Sequence, residues 1–169
     1  LKRQANVPWN KLGVSGSLLA GLYTPNSDID MIVYGSQNCK RLYEALRVLV
    51  QGEGSQVRSY NSEELKTLFD FRSKDTFMKF EDFVRTESRK VLQGRFQQRD
   101  YFIRCVKDWN EISEQYGEVH YTPIGYARIK AEVTDDSEAI FTPCSYKINS
   151  VEILEGIATV KPIDEIVSF

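Results

Sequence analysis

Histidine occurs once in this chain of 169 residues, at His120, and cysteine three times, at Cys39, Cys105 and Cys144. An odd number of widely spaced cysteines gives no disulfide framework and fits a reducing compartment, so each reads as a small buried apolar residue. With no C-x-x-C pair, a zinc site would need cysteines from three distant segments to converge, which disfavours one. No nucleophile-elbow motif supports a Ser-His-Asp or Cys-His hydrolase, and His120 reads as part of a strand or its edge. No apolar run approaches the roughly 18 to 20 residues of a membrane span, and the Leu1-Lys2-Arg3-Gln4 start leads into polar residues rather than a signal-peptide core. The expectation is a cytoplasmic protein with no membrane partner. A start without methionine and a finish on the apolar stretch ending at Phe169 are compatible with a trimmed chain or a piece of a longer one.

What is present is ordinary in bulk and uneven in detail. Hydrophobic residues make up 41% and charged residues 27%, close to the average for soluble globular proteins, and the length allows one α/β domain or a small domain with an appendage. The net charge of -2 conceals a polarity. Residues 85–107 hold seven Lys/Arg against two Asp/Glu, a net of +5, whereas residues 108–169 hold four against twelve, a net of -8. A basic segment beside an acidic lobe is suited to steering a phosphate-bearing substrate to one face; a solvated helix face followed by an acidic surface would give the same count.

Local patterns divide the chain in two. Gly13, Gly16 and Gly21 punctuate a small apolar stretch that runs into the turn formers Tyr23-Thr24-Pro25-Asn26-Ser27. Asp28 to Tyr34 then reads as a strand whose carboxylates lie at its entry end. Leu42, Ala45, Leu46, Leu49 and Val50 mark a helix from Cys39 to Gln51 with Gly52 as its stop, and Asn61 with Glu64 is the start of a short capped helix through about Phe69. Phe77, Phe80, Phe83, Val84, Val91 and Leu92 predict a further helix from about Thr76 to Gln93, capped by Gly94. Arg99 to Val106 reads as a strand. From about Tyr121 the pattern becomes alternating, with strands expected around Ala127 to Val133, Ala139 to Phe141, Ser145 to Ile148, Val151 to Leu154, Ile157 to Val160 and Ile163 to Phe169, and a turn at Asp135-Asp136. The expected fold is α+β: a mixed sheet with helices on one face over residues 1–109, a linker near 110–117, and a smaller β-rich lobe over 118–169 whose strand spacing admits a small barrel.

Chemistry gathers between Gly16 and Asp30. Residues two apart on a strand share a face, so Asp28 and Asp30 project side by side while Ile29 turns away. Two carboxylates so placed suit Mg²⁺ or Mn²⁺, which take one or two carboxylates together with phosphate oxygens and water; two solvated aspartates at an exposed strand end would look the same. Gly16-Ser17 upstream adds a glycine that lets phosphate approach the backbone, a helix start with free N–H groups at Leu18 to Leu22, and a hydroxyl able to bond a phosphate oxygen.

The stretch G-S-L-L-A-G-L-Y-T-P-N-S-D-I-D, Gly16 to Asp30, resembles the Gly-Ser … Asp-x-Asp signature of the DNA polymerase β-like nucleotidyltransferase superfamily, and is most like archaeal predicted nucleotidyltransferases of unknown substrate. The resemblance implies that Gly16 and Ser17, with Ser27 beside them, hold triphosphate oxygens, that Asp28 and Asp30 hold Mg²⁺ or Mn²⁺, and that a third carboxylate on a later strand completes the metal site and acts as general base. It further implies attack of an acceptor hydroxyl on the α-phosphate of a nucleoside triphosphate, the acceptor being nucleic acid, protein or small molecule. At the third carboxylate the sequence departs from the family pattern, because Phe102 falls where the acid belongs. Asp100, two residues earlier and on the same strand face, is the candidate replacement, with a simple pairing to a neighbouring Arg as the alternative. Arg104 is a candidate phosphate-neutralising residue. Two other readings stay open: a catalytically silent module of the same fold, antitoxin-like, and an RNA-binding protein reading through its β-rich lobe.

Overall fold

A computed structural model describes residues 2–74, 78–115, 117–156 and 162–168. The chain divides into two compact units, Leu1–Arg104 and Cys105–Phe169. The first opens with helix α1 (Lys2–Ala5), a 3₁₀ turn at Trp9–Lys11 and strand β1 (Leu12–Val14). Helix α2 (Gly16–Ala20), strand β2 (Ile29–Tyr34), helix α3 (Ser36–Gln51), strand β3 (Val57–Arg58), helices α4 (Ser62–Arg72) and α5 (Phe80–Glu87), and strands β4 (Gln93–Phe96) and β5 (Arg99–Val106) follow. The five strands form one sheet in the order β1-β2-β5-β4-β3, in which β1 with β2, β5 with β4 and β4 with β3 are antiparallel. This is the mixed α+β sheet that the sequence predicts.

Helix α3 anchors the core. Leu42 and Leu46 are buried on the stripe that the spacing marks, and the Cys39 thiol donates to the Val33 carbonyl at 3.3 Å, tying helix to strand. The helix begins three residues earlier than the periodicity indicates because Gly35, at φ 88, turns the chain sharply out of β2 into Ser36. The capping box at α4 is present: the Glu64 amide donates to Asn61 Oδ1 at 2.9 Å and the Asn61 amide to Glu64 Oε2 at 2.8 Å.

The expected helix from Thr76 to Gln93 is corrected. Residues 75–77 lie outside the described residues, and α5 covers only Phe80–Glu87, where Phe83 is buried and Phe80 and Phe83 both meet Phe69 edge to face. Gly94 is not its cap. It sits in β4 opposite Tyr101, where a β-carbon would press on the Arg58 carbonyl and the Tyr101 ring. Helical spacing of Val91 and Leu92 misleads here because non-local pairing with β5 overrides local periodicity.

The second unit has a 3₁₀ turn at Trp109–Glu111 and three strands, β6 (Ala127–Asp135), β7 (Cys144–Gly156) and β8 (Glu165–Ser168), in an antiparallel sheet ordered β6-β7-β8. It is an open sheet among the described residues, so the barrel is corrected. The strands expected at Ser145 to Ile148 and Val151 to Leu154 are one strand, β7, carrying an irregularity at Ser150, whose φ is 50. Ala139 to Phe141 contributes a turn and an isolated bridge from Phe141 to Cys105 rather than a strand. Ile157 to Val160 lies outside the described residues. His120 lies in exposed, irregular chain, not in a strand. Cys39 and Cys105 are buried as expected, while Cys144 is half-buried.

Two outcomes follow from these contacts. Leu42 is completely buried, so Leu42→Ala should lower unfolding stability by about 2–5 kcal/mol in urea titration, through lost transfer energy and the cavity left behind. Glu64 takes two 2.7 Å bonds from Arg58, and those bonds, with the Asn61 amide, hold its carboxyl down at about 2. A depressed folded value means that Glu64 stabilises in full above its ordinary 4.5 and loses this as the pH falls toward about 2. Melting temperatures between pH 7 and pH 2 should therefore fall less steeply for Glu64→Gln than for the native chain.

Candidate functional site

Strands β1 and β2 pair so that Val14 stands opposite Met31. The intervening chain leaves and returns at neighbouring positions, and the Ser15 amide closes it by donating to the Asp30 carbonyl at 3.0 Å. The next residue, Gly16, adopts φ 60, and a β-carbon there would run into Asp30 Oδ2. The bare glycine backbone thus lies directly against the Asp30 carboxylate, an approach that only glycine permits. Helix α2 starts at this point and ends at Gly21 in the left-handed conformation, with the Gly21 and Leu22 amides both donating to the Ser17 carbonyl.

Ser17 Oγ is shielded from solvent and has no hydrogen-bond partner among the described residues. A buried hydroxyl left unsatisfied costs about 1–3 kcal/mol, so the position calls for a polar group from outside the chain. The following loop is organised internally: the Thr24 amide donates to Ser27 Oγ at 2.9 Å, the Ser27 amide to the Thr24 carbonyl at 3.1 Å, and the Asn26 amide to Thr24 Oγ1 at 3.3 Å. Ser27 is therefore engaged in shaping the turn that delivers Asp28, which is exposed, and Asp30, which is half-buried.

Burial, and next the charge of Asp28, raise the Asp30 carboxyl above the usual carboxylate range, while Arg104 acts in the opposite sense. Arg104 is thereby placed on the same side as Asp30. Strand alternation gives the same answer: β5 is the neighbour of β2, its Tyr101 and Ile103 are buried on one face, and Phe102 and Arg104 point to the other. The Arg104 guanidinium stacks 5.5 Å from the centre of the Phe102 ring.

The structure brings together Gly16, Ser17, Asp28, Asp30 and Arg104, while Asp100, on the same face of β5, is engaged by other residues. Asp100 accepts from Arg95 at 2.9 Å and faces Tyr60, whose phenol is pushed up by burial and by this carboxylate. It lies four positions from Arg104, or about 13 Å along an extended strand. Among the described residues no group of three or more His, Cys, Asp or Glu side chains is placed to hold a metal ion. The bond from Arg95 is the pairing with a neighbouring Arg that the sequence offered as the alternative for Asp100, whereas Tyr60 carried no signal because it comes from the far side of β3 and β4. Two adjacent carboxylates, an orphaned hydroxyl and a glycine cradle do fit a divalent cation bridged to phosphate oxygens.

Residues 3–97 match the model of the nucleotidyltransferase domain, more than half of the chain. The chain belongs to the nucleotidyltransferase domain family. The family generally works with divalent metals. This nucleotidyltransferase domain is also 34% identical over 155 residues to the uncharacterized protein MJ1086 of Methanocaldococcus jannaschii, covering 90% of the chain and 45% of that protein. It spans about half the length of the relative it matches. No solved structure matches it significantly. The family match closes at residue 97, so β5, with Asp100, Phe102 and Arg104, lies beyond it.

Ionised Asp30 is held against burial and a like charge, so Asp30→Asn should raise the melting temperature of the ligand-free domain by about 1 to 3 °C. Gly16→Ala should instead lower unfolding stability by about 1–2 kcal/mol or more, the cost of a left-handed backbone at a non-glycine residue plus the collision with Asp30. Parallel thermal melts at neutral pH check both signs.

Proposed function

We propose that this nucleotidyltransferase domain transfers a nucleoside monophosphate from a nucleoside triphosphate to an acceptor hydroxyl, with Mg²⁺ or Mn²⁺ held by Asp28 and Asp30. The observation that carries the reading is the unpartnered, buried Ser17 Oγ next to the glycine that abuts Asp30. Ser17 donates its hydroxyl proton to a phosphate oxygen, and the backbone at Gly16 admits the phosphate chain without steric conflict. Ser27 supports the phosphate side indirectly, by setting the turn ahead of Asp28. Arg104 offsets charge on the phosphates from the β5 side. When bound, the cation supplies Lewis-acid stabilisation of the charge that develops on the triphosphate oxygens.

In the reaction, the acceptor oxygen forms a bond to the α-phosphorus and the bond from that phosphorus to the α,β-bridging oxygen breaks. Pyrophosphate leaves with the electron pair and the acceptor proton passes to solvent. Asp100 is given no step, since Arg95 holds it. The setting we assign is the cytoplasm, where thiols such as Cys39, Cys105 and Cys144 stay reduced; no helix among the described residues is long and apolar enough to cross a membrane. A second reading, a module that binds nucleotide without transferring it, is favoured by one observation: no third acid joins Asp28 and Asp30 among the described residues.

Thermal-shift titrations with Mg²⁺ and each nucleoside triphosphate test the site. A ligand at a hundred times its Kd stabilises by about 2.7 kcal/mol, so the native domain should show a shift of several degrees and the Asp28→Asn/Asp30→Asn variant none. An equal shift in both proteins would move the nucleotide away from these aspartates. Radiolabelled transfer from the α-phosphate separates the enzyme from the silent binder.

A further inference from the structure

A site built for two catalytic cations needs a carboxylate shared between them and further hard oxygen donors for each, because the ions sit only about 3.5–4 Å apart. Asp28 and Asp30 supply two negative charges. The remaining wall is β5, the hydrogen-bonded neighbour of β2, and its side chains facing away from the buried Tyr101 and Ile103 are Asp100, Phe102 and Arg104. Phe102 offers carbon. Arg104 offers a positive charge on the face of β5 away from the buried Tyr101 and Ile103, with its guanidinium 5.5 Å from the centre of the Phe102 ring. Asp100 is bonded to Arg95 at 2.9 Å, one end of a chain of charges in which Arg95 also approaches Glu64 and Glu64 binds Arg58.

Resting on the nucleotide-site reading above, we propose that the site takes a single divalent cation, carried between Asp28, Asp30 and the triphosphate, and that Arg104 occupies by charge the place a second cation would need. The two aspartates and one dication balance, and Arg104 remains to meet the phosphate oxygens that the cation leaves unneutralised. A second dication on the β5 side would meet an exposed guanidinium and a phenyl ring instead of an anionic donor. The occupancy of the site is thus set by the pair Phe102 and Arg104, which lies outside the stretch that matches the family model.

Mn²⁺ bound in the presence of the α,β-imido analogues of ATP, GTP, CTP and UTP, each in turn, tests this without any turnover. Electron paramagnetic resonance and equilibrium dialysis should give one Mn²⁺ per chain, with the spectrum of an isolated ion. Two ions per chain with an exchange-coupled signal would overturn the single-cation site and leave the nucleotide reading standing. No bound Mn²⁺ with any analogue would overturn both. In a Phe102→Asp/Arg104→Leu variant shown to be folded by circular dichroism, the count should rise to two. A count that stays at one there would overturn the assignment to these two side chains.

Discussion

The site depends on how closely the chain passes itself at Gly16 and Asp30. The Ser15 amide bonds the Asp30 carbonyl, and Gly16 places bare backbone against the carboxylate of the same residue. Main chain and side chain of one aspartate are thus both fixed from across the hairpin. Everything downstream of that clasp is positioned by it: the start of α2, the seat of Ser17 and the direction in which Asp28 leaves the loop.

The clasp also sets the electrostatics. Because Asp30 is partly withdrawn from water and has Asp28 for a neighbour, its ionised state is the costly one, and Arg104 offsets only part of that cost. Ligand-free, the domain carries a local conflict between carboxylates and an unanswered hydroxyl at Ser17. Such conflicts are typical of sites that give up stability for binding, and under the proposed function a cation and phosphate oxygens would resolve this one. The core below, organised by Leu42 and Leu46 on α3, is where that lost stability is made good.

Much of this was legible in the residues. Asp28 and Asp30 at a strand entry, the glycine and serine upstream, the capped helix at Asn61 and the strand from Arg99 to Val106 are local signals, and local rules recovered them. What depended on pairing across the sheet was hidden. Gly94 looks like a helix stop and is a strand residue beneath Tyr101. Asp100 stands open in the sequence between a metal role and a pairing with a neighbouring Arg, and the β4–β5 pairing brings Arg95 to it across four intervening positions. Ser145 to Leu154 reads as two strands because the break near Ser150 resembles a turn, yet the pairing with β6 runs through it with shifted register. Sidedness along β5 was visible, but not which partner each side would find.

One feature of the sheet bears on where it can be cut. The family resemblance closes at residue 97, yet β5 stands between β2 and β4 in the strand order. A fragment cut at that boundary would lack the middle of its own sheet. It would expose two unpaired rows of amides and carbonyls, one along β2 and one along β4, and such edges recruit other chains. A fragment that keeps this sheet paired on both sides therefore has to include β5, the strand bearing Phe102 and Arg104.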